Sequence, residues 1–235
     1  MGVINVTPDS FYADSRVRSV ADVLSVAQRM IADGADILDV GACSTRPNSQ
    51  PVDADTEWQR LQPALQVLRA GLPDVTLSVD TFRPEVAQRA LEEFGTLIIN
   101  DISGGSEPMY EVVRAYHAPY VWTLRGDYTR LDHIDRLADL ALILDPGFGF
   151  TGGVDNDYRC LRAMDRLRDY GRPILVGVSR KSMLYRLLDT TPQDCLAPTQ
   201  VLHFYALQHG AGILRVHDVR EARQTVTLYE KIVNA

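Results

Sequence analysis

Cysteine is scarce in this chain, positive charge is outweighed, and no apolar run is long. The three cysteines, Cys43, Cys160 and Cys195, are odd in number and far apart. They form neither a disulfide framework nor a zinc-ligand spacing, which points to a reducing, cytoplasmic setting. Lysine and arginine total 24 against 31 aspartates and glutamates, a formal charge of −7. That balance, without basic clusters, excludes a general nucleic-acid binder. No stretch approaches the roughly 18 apolar residues of a membrane-crossing helix, and no signal peptide is visible, so no membrane partner is expected. His117, His133, His203 and His209 show no metal-ligand spacing. His203 and His209 fall on a helical pattern and read as packing or surface residues. A linker is lacking too: there is no low-complexity stretch and no break in composition, so residues 1–235 read as one domain.

What the chain does have is a repeated strand–helix unit. Apolar runs that read as buried strands cover residues 1–6, 36–41, 76–80, 97–101, 120–124, 142–145, 174–179 and 212–217. Short continuous runs of this kind suit parallel strands covered on both faces. Helical periodicity follows the first at Val20, Val23, Leu24, Ala27, Met30 and Ile31. It recurs at Trp58, Leu61, Leu65 and Leu68, then at Val86, Ala87, Ala90 and Leu91 after Pro84. Further helical patterns cover 110–116, 158–167, 196–208 and 219–233. Eight units in 235 residues means one about every 29. Nearly every strand run ends in a polar or charged residue. One such ending means little, but their recurrence through the eight units suggests functional groups collected at one face of an α/β TIM (β/α)8 barrel. An open doubly wound sheet is the alternative for the same element order. Only residues 127–141 separate Gly126 from the sixth strand, so the fifth helical segment is expected to be abbreviated or incompletely represented.

The chemistry-bearing residues sit at those strand ends. Asn5 leaves the first strand in Asn5-Val6-Thr7-Pro8-Asp9-Ser10-Phe11; the Thr-Pro-Asp portion alone reads as a turn. The Asn5 oxygen could reach a cation or an anionic ligand's metal. Asp80, Asn100 and Asp145 end three further strands, and together their acceptors and donors could read the amino–imino edge of a pterin-like ring. Taken singly, each is as well explained by capping the helix that follows. Lys181 could hydrogen-bond a ring carbonyl, while Arg215 and His217 offer a guanidinium fork and an imidazole for phosphate oxygens. Loops after the seventh and eighth strands are common phosphate sites in such barrels. Arg16, Arg18, Arg125 and Arg130 read as solvated loop charges.

At this point the chain resembles the dihydropteroate synthase family. The segments that carry the resemblance are MGVINVTPDSF, STRP, SVDTFRPEVAQRAL, INDISGG, LDPGFGF, GVSRKS and LRVHDVREA, in family order from Met1 to Ala222. The resemblance implies a pterin-binding barrel that joins 4-aminobenzoate to a pterin methyl diphosphate, with Mg2+ and loss of pyrophosphate. It implies pterin contacts at Asp80, Asn100, Asp145, Phe150 and Lys181. Asn5, as the metal ligand, would join Arg215 and His217 in holding diphosphate, with Lys181 also in the catalytic group. Phe11, Thr45, Arg46, Pro47 and Ser182 would serve the aminobenzoate, and the last helices would form a homodimer. No protein nucleophile is required, so catalysis would rest on positioning and electrostatic stabilisation.

The departures from the family pattern are local. Val121-Trp122-Thr123-Leu124-Arg125-Gly126 replaces a Met-His-Met type segment, and Thr151-Gly152-Gly153 replaces the usual Lys-Thr. Cys43 stands where Glu is common, Asn48 where Gly is common, and Tyr185 where a small residue is common. Two alternatives remain open: a pterin-binding paralogue with weak or no synthase activity, and a pterin-binding methyl-transfer domain. The second is disfavoured because the Ser-Arg-Lys and Arg-Val-His segments keep groups that methyl transfer does not need.

Overall fold

The computed structural model describes residues 1–6, 20–43 and 52–235, with the side chains of Val20, Ala21, Thr129 and His133 outside that description. The chain divides into two compact units, residues 1–120 with 139–141 and residues 121–138 with 142–235.

In the first unit, parallel strands β1 (Gly2–Asn5), β2 (Ile37–Gly41), β3 (Thr76–Asp80) and β4 (Ile98–Asp101) lie side by side in chain order. Helices α1 (Val20–Ala32), α2 (Ala54–Gly71) and α3 (Pro84–Phe94) connect them, and α4 (Glu107–Ala115) follows. Leu38, Val40, Leu77, Val79 and Ile99 are fully buried, which is why these strands are apolar throughout instead of alternating. Each helix turns one stripe inward; in α3 it is Val86, Ala87, Ala90 and Leu91. Pro84 starts α3 where a missing N–H costs nothing, and Ser106 caps α4 by accepting from the Met109 N–H.

The register sets the polar ends in one row. Asn5 pairs with Gly41, Gly41 with Asp80, and Asp80 with Asn100. Register partners in adjacent strands face the same side, so the row crosses four strands on a single face.

Strand β5 (Tyr120–Thr123) begins in the first unit and ends in the second. In the second unit the Leu124 N–H donates to the Asp145 carbonyl at the end of β6 (Leu142–Asp145). Leu144 then bridges Ile174 in parallel, and β7 (Leu175–Val176) pairs with β8 (Ile213–Leu214). The ladders at the seventh and eighth positions are shorter than the apolar runs 174–179 and 212–217. Ser179 and His217 bond each other instead of continuing the ladder.

No α-helix lies between β5 and β6; a 3-10 segment, Tyr128–Leu137, takes that place, as the short connection led one to expect. The helical pattern at 158–167 is two helices, α5 (Val154–Arg162) and α6 (Asp165–Arg168), broken at Ala163 and Met164. The seventh layer comprises α7 (Ser182–Tyr185), a 3-10 turn at Pro192–Cys195 and α8 (Leu196–Gln208). Helix α9 (Val219–Val233) closes the chain, and Phe204 of α8 meets Tyr229 of α9 edge to face at 5.9 Å. No helix among the described residues is long and apolar enough to cross a membrane.

Candidate active site

The first unit presents Asn5, Asp80 and Asn100 along the strand-end row. Gly41 occupies the remaining place in that row, where a Cβ would stand 3.4 Å from the Asp80 Cβ. Asp80 is only partly buried and remains accessible to a ligand. Asn100 is held from below: its Nδ2 donates to Asp39 Oδ2 at 3.1 Å, while Ser78 Oγ donates to Asp39 Oδ1 at 2.6 Å. Asp39 is therefore the fixed acceptor that orients the carboxamide, and all three groups are buried. Sequence reasoning missed Asp39. The available signal was an acid in the middle of an apolar run, where a charge survives only with partners.

Asp101, next to Asn100, does something else. It accepts from Tyr120 Oη at 2.7 Å and from the Ser103 N–H at 2.7 Å, so it braces the β4 exit. Arg83 forms an ion pair with the fully buried Glu57, donates to the Val52 carbonyl and reaches Cys43 Sγ at 3.7 Å. Burial alone would lower its pKa, but Cys43 and Glu57 outweigh that and hold the guanidinium protonated. The Cys43 departure thus sits against a cation that also braces the starts of α2 and α3.

In the second unit Asp145 is buried, with Oδ1 accepting from the Gly147 N–H at 2.9 Å and Oδ2 from Thr123 Oγ1 at 3.1 Å. Burial pushes its pKa up, opposed chiefly by Lys181 and then by those hydrogen bonds and Arg215. The loop that follows turns at Gly147 (φ 82°) and Gly149 (φ 84°), and a Cβ on Gly147 would meet the Arg125 backbone at 2.7 Å. Asp157 secures it by accepting from the Gly149 N–H and from Thr151 Oγ1, each at 2.8 Å. Asp157 was also missed; it lies on the helix after the loop, where its sequence reads as a solvated charge. The Thr151-Gly152-Gly153 departure therefore has a local role, since Thr151 also reaches the Gly153 carbonyl.

Lys181 Nζ donates to the Phe148 carbonyl and lies 5.2 Å from the centre of the Phe150 ring. Gly177 leaves room between the two cations: a Cβ there would stand 3.7 Å from Lys181 Nζ and 3.8 Å from Arg215 Cβ. Ser182 is the first residue of α7, immediately after Lys181. His217 bonds Ser179 Oγ through both its backbone N–H (3.3 Å) and its Nδ1 (3.1 Å). Burial first, and Arg215 second, push its pKa down to about 4. The imidazole is therefore neutral near pH 7.

Arg130 is likewise more than a solvated charge: its guanidinium lies 5.2 Å over Trp122 and donates to the Thr123 carbonyl at 3.3 Å. His203 is fully buried, and His209 stacks on Tyr205 at 4.1 Å, as their helical positions suggested. Phe11, Thr45, Arg46 and Pro47 lie outside the described residues. Among the described residues no group of three or more His, Cys, Asp or Glu side chains could hold a metal. Mg2+ does not need one. It takes oxygen ligands, keeps several waters, and is commonly held by one or two protein oxygens plus substrate phosphates, which a carboxamide such as Asn5 fits.

The profile of the family described as pterin binding enzyme matches residues 1–136 and 134–217. The chain belongs to that family, and within it to the dihydropteroate synthases. It is 35% identical over 254 residues to the dihydropteroate synthase of Streptococcus pyogenes serotype M6, covering 99% of this chain and 95% of that protein. The Clostridium difficile dihydropteroate synthase solved in the presence of pteroic acid superposes with a TM-score of 0.89 at 30% identity, over 98% of this chain and 95% of that one. The Xanthomonas albilineans enzyme solved with 4-aminobenzoic acid gives 0.89 at 31% identity, over 100% and 92%. The fold class is accordingly that of the solved dihydropteroate synthases, the α/β barrel expected from the resemblance.

Proposed function

We propose that this chain is a transferase of folate biosynthesis. It condenses 6-hydroxymethyl-7,8-dihydropterin diphosphate with 4-aminobenzoate to give 7,8-dihydropteroate and pyrophosphate. The observation that carries this reading is the row Asn5–Gly41–Asp80–Asn100, taken with two cations, Lys181 and Arg215, flanking Gly177 near a buried Asp145. A neutral heterocycle edge suits the carboxyl and carboxamide groups, and a diphosphate suits the cations. One relative is solved with pteroic acid, a pterin already joined to aminobenzoate, and another with 4-aminobenzoic acid, one of the two proposed substrates.

In this reading Asp80, Asn100, Asp145 and Lys181 bind the pterin, with Phe150 beside its ring. Asn5 holds Mg2+, which on binding would neutralise diphosphate charge. Arg215 contributes positive charge and His217 a neutral N–H to the leaving group. The carbon–oxygen bond to diphosphate breaks, the aminobenzoate nitrogen bonds the pterin methylene, and that nitrogen then loses a proton. Charge builds on the departing diphosphate, so the Arg215 and His217 contacts act mainly in the transition state. Ser182, with Phe11, Thr45, Arg46 and Pro47 by resemblance, serves the aminobenzoate. We take residues 1–235 as a single pterin-binding domain working in the cytoplasm.

A homodimer is part of the proposal. Val201 on α8 and Leu228, Ile232 and Val233 on α9 are 68%, 63%, 61% and 56% exposed. These apolar side chains on two packed helices fit a second copy of the same surface. The direct test of function is complementation of a strain lacking the synthase. Growth without added folate end products is expected. Failure by a soluble, pterin-binding protein would favour the paralogue without turnover.

A further inference from the structure

The segment between β7 and α7 carries more than Lys181. Arg180 precedes it with a left-handed backbone (φ 53°), a conformation that non-glycine residues adopt only when their surroundings hold them there. Its surroundings do so in several ways. The Arg180 N–H points to Thr199 Oγ1 at 3.0 Å. Its side chain forms a two-pronged ion pair with Asp218, Nε to Oδ2 at 2.7 Å and Nη2 to Oδ1 at 2.9 Å. Nη1 donates to the carbonyls of Pro192 and Gln193 at 2.8 and 2.6 Å. Arg180 and Asp218 are nearly sealed from solvent, with side-chain exposures of 7% and 13%.

Each partner is one residue from a group given a role in the proposed reaction. Arg180 precedes Lys181, and Asp218 follows His217. Ser179, just before Arg180, bonds His217 directly. Two loops are thereby joined by consecutive residues, Ser179 to His217 and Arg180 to Asp218. A lysine could not replace this arrangement, because only the planar guanidinium fork reaches a carboxylate with two bonds while serving two carbonyls.

We propose that the Arg180–Asp218 pair is a positioning device that sets Lys181 and His217 together, so that pterin and diphosphate are gripped by one rigid unit. This rests on the functional reading above. A brace that served only stability would leave ligand affinity intact in any variant that still folds. A positioning device would not.

The two ligand halves can be measured apart by calorimetry, using 6-hydroxymethylpterin and inorganic pyrophosphate with Mg2+. Arg180→Lys and Asp218→Asn, each confirmed folded by circular dichroism, are expected to weaken both ligands about tenfold, the loss of roughly one charge-assisted hydrogen bond per ligand. Lys181→Met should weaken the pterin alone, and His217→Leu the pyrophosphate alone. Folded Arg180→Lys and Asp218→Asn proteins that bind both ligands within about twofold of the parent would overturn the pairing, as would loss of one ligand only.

If neither variant folds, hydrogen exchange on the unaltered protein decides. Pyrophosphate should slow the amides of residues 179–182 and 215–218 together, and slowing of the second stretch alone refutes the proposal. An unaltered protein that binds neither ligand would instead sink the functional reading, and the pair's role with it.

Discussion

Asp39 illustrates how much a single buried carboxylate can hold. It accepts from Ser78 and Asn100, so Asp39→Ala strands two donors in the interior. Each is expected to cost about 1–3 kcal/mol, read by urea unfolding, and the loosened Asn100 should weaken pterin binding as well. A variant as stable as the parent would refute that role. His203 makes a prediction about pH. It is fully buried, and burial holds its pKa down at about 4 against an ordinary 6.5. Above pH 6.5 the residue is neutral in folded and unfolded chains alike. As pH falls from 6.5 toward 4 the unfolded chain takes up a proton that the folded chain refuses, so stability drops across that window. The loss attributable to His203 should reach on the order of 3 kcal/mol, read as the difference between the stability–pH curves of the parent and His203→Leu. Parallel curves would contradict it. Asp80, Asn100, Asp145, Lys181 and Arg215 could be singled out in the sequence as candidates because each lies at or near the end of an apolar run. Asp39 and Asp157 were not, since their partners come from other segments and no local pattern announces them.

The elements show the same division. Continuous apolar runs located the strands, and the short stretch from 127 to 141 led to the expectation of an abbreviated or incompletely represented helical segment, where a 3-10 segment stands. The break between α5 and α6, the 3-10 turns and the brevity of β7 and β8 were not legible. The brevity of β7 and β8 goes with hydrogen bonds made across loops, such as Ser179 to His217, which replace ladder bonds that the apolar pattern would allow. The loop after β6 offers a test at this scale. Gly147 has φ 82°, and any Cβ there meets the Arg125 backbone at 2.7 Å. Gly147→Ala should therefore destabilise the protein by about 1–3 kcal/mol and displace the Asp145–Phe150 turn, lowering pterin affinity. The paired control Gly171→Ala shares a positive φ of 61° but has nothing within 4 Å of its Cβ, so it should cost less. Equal losses in the two variants, by thermal unfolding, would mean that backbone strain alone and not the contact with Arg125 sets the cost.

For the whole molecule, the proposed homodimer would set a second copy against the exposed apolar side chains of α8 and α9. Leu228→Glu combined with Ile232→Glu should halve the mass seen by sedimentation, since two charges would be buried at the shared face. An unchanged mass would place any interface elsewhere. The central claim is the condensation itself, and product formation tests it most directly. The purified protein is incubated with Mg2+, 6-hydroxymethyl-7,8-dihydropterin diphosphate and 4-aminobenzoate, and 7,8-dihydropteroate and pyrophosphate are quantified together. The expected result is equimolar formation of both, dependent on aminobenzoate and lost on Arg215→Ala by about a hundredfold or more in turnover. Pterin binding without any dihydropteroate, in protein shown to be folded, would contradict the account.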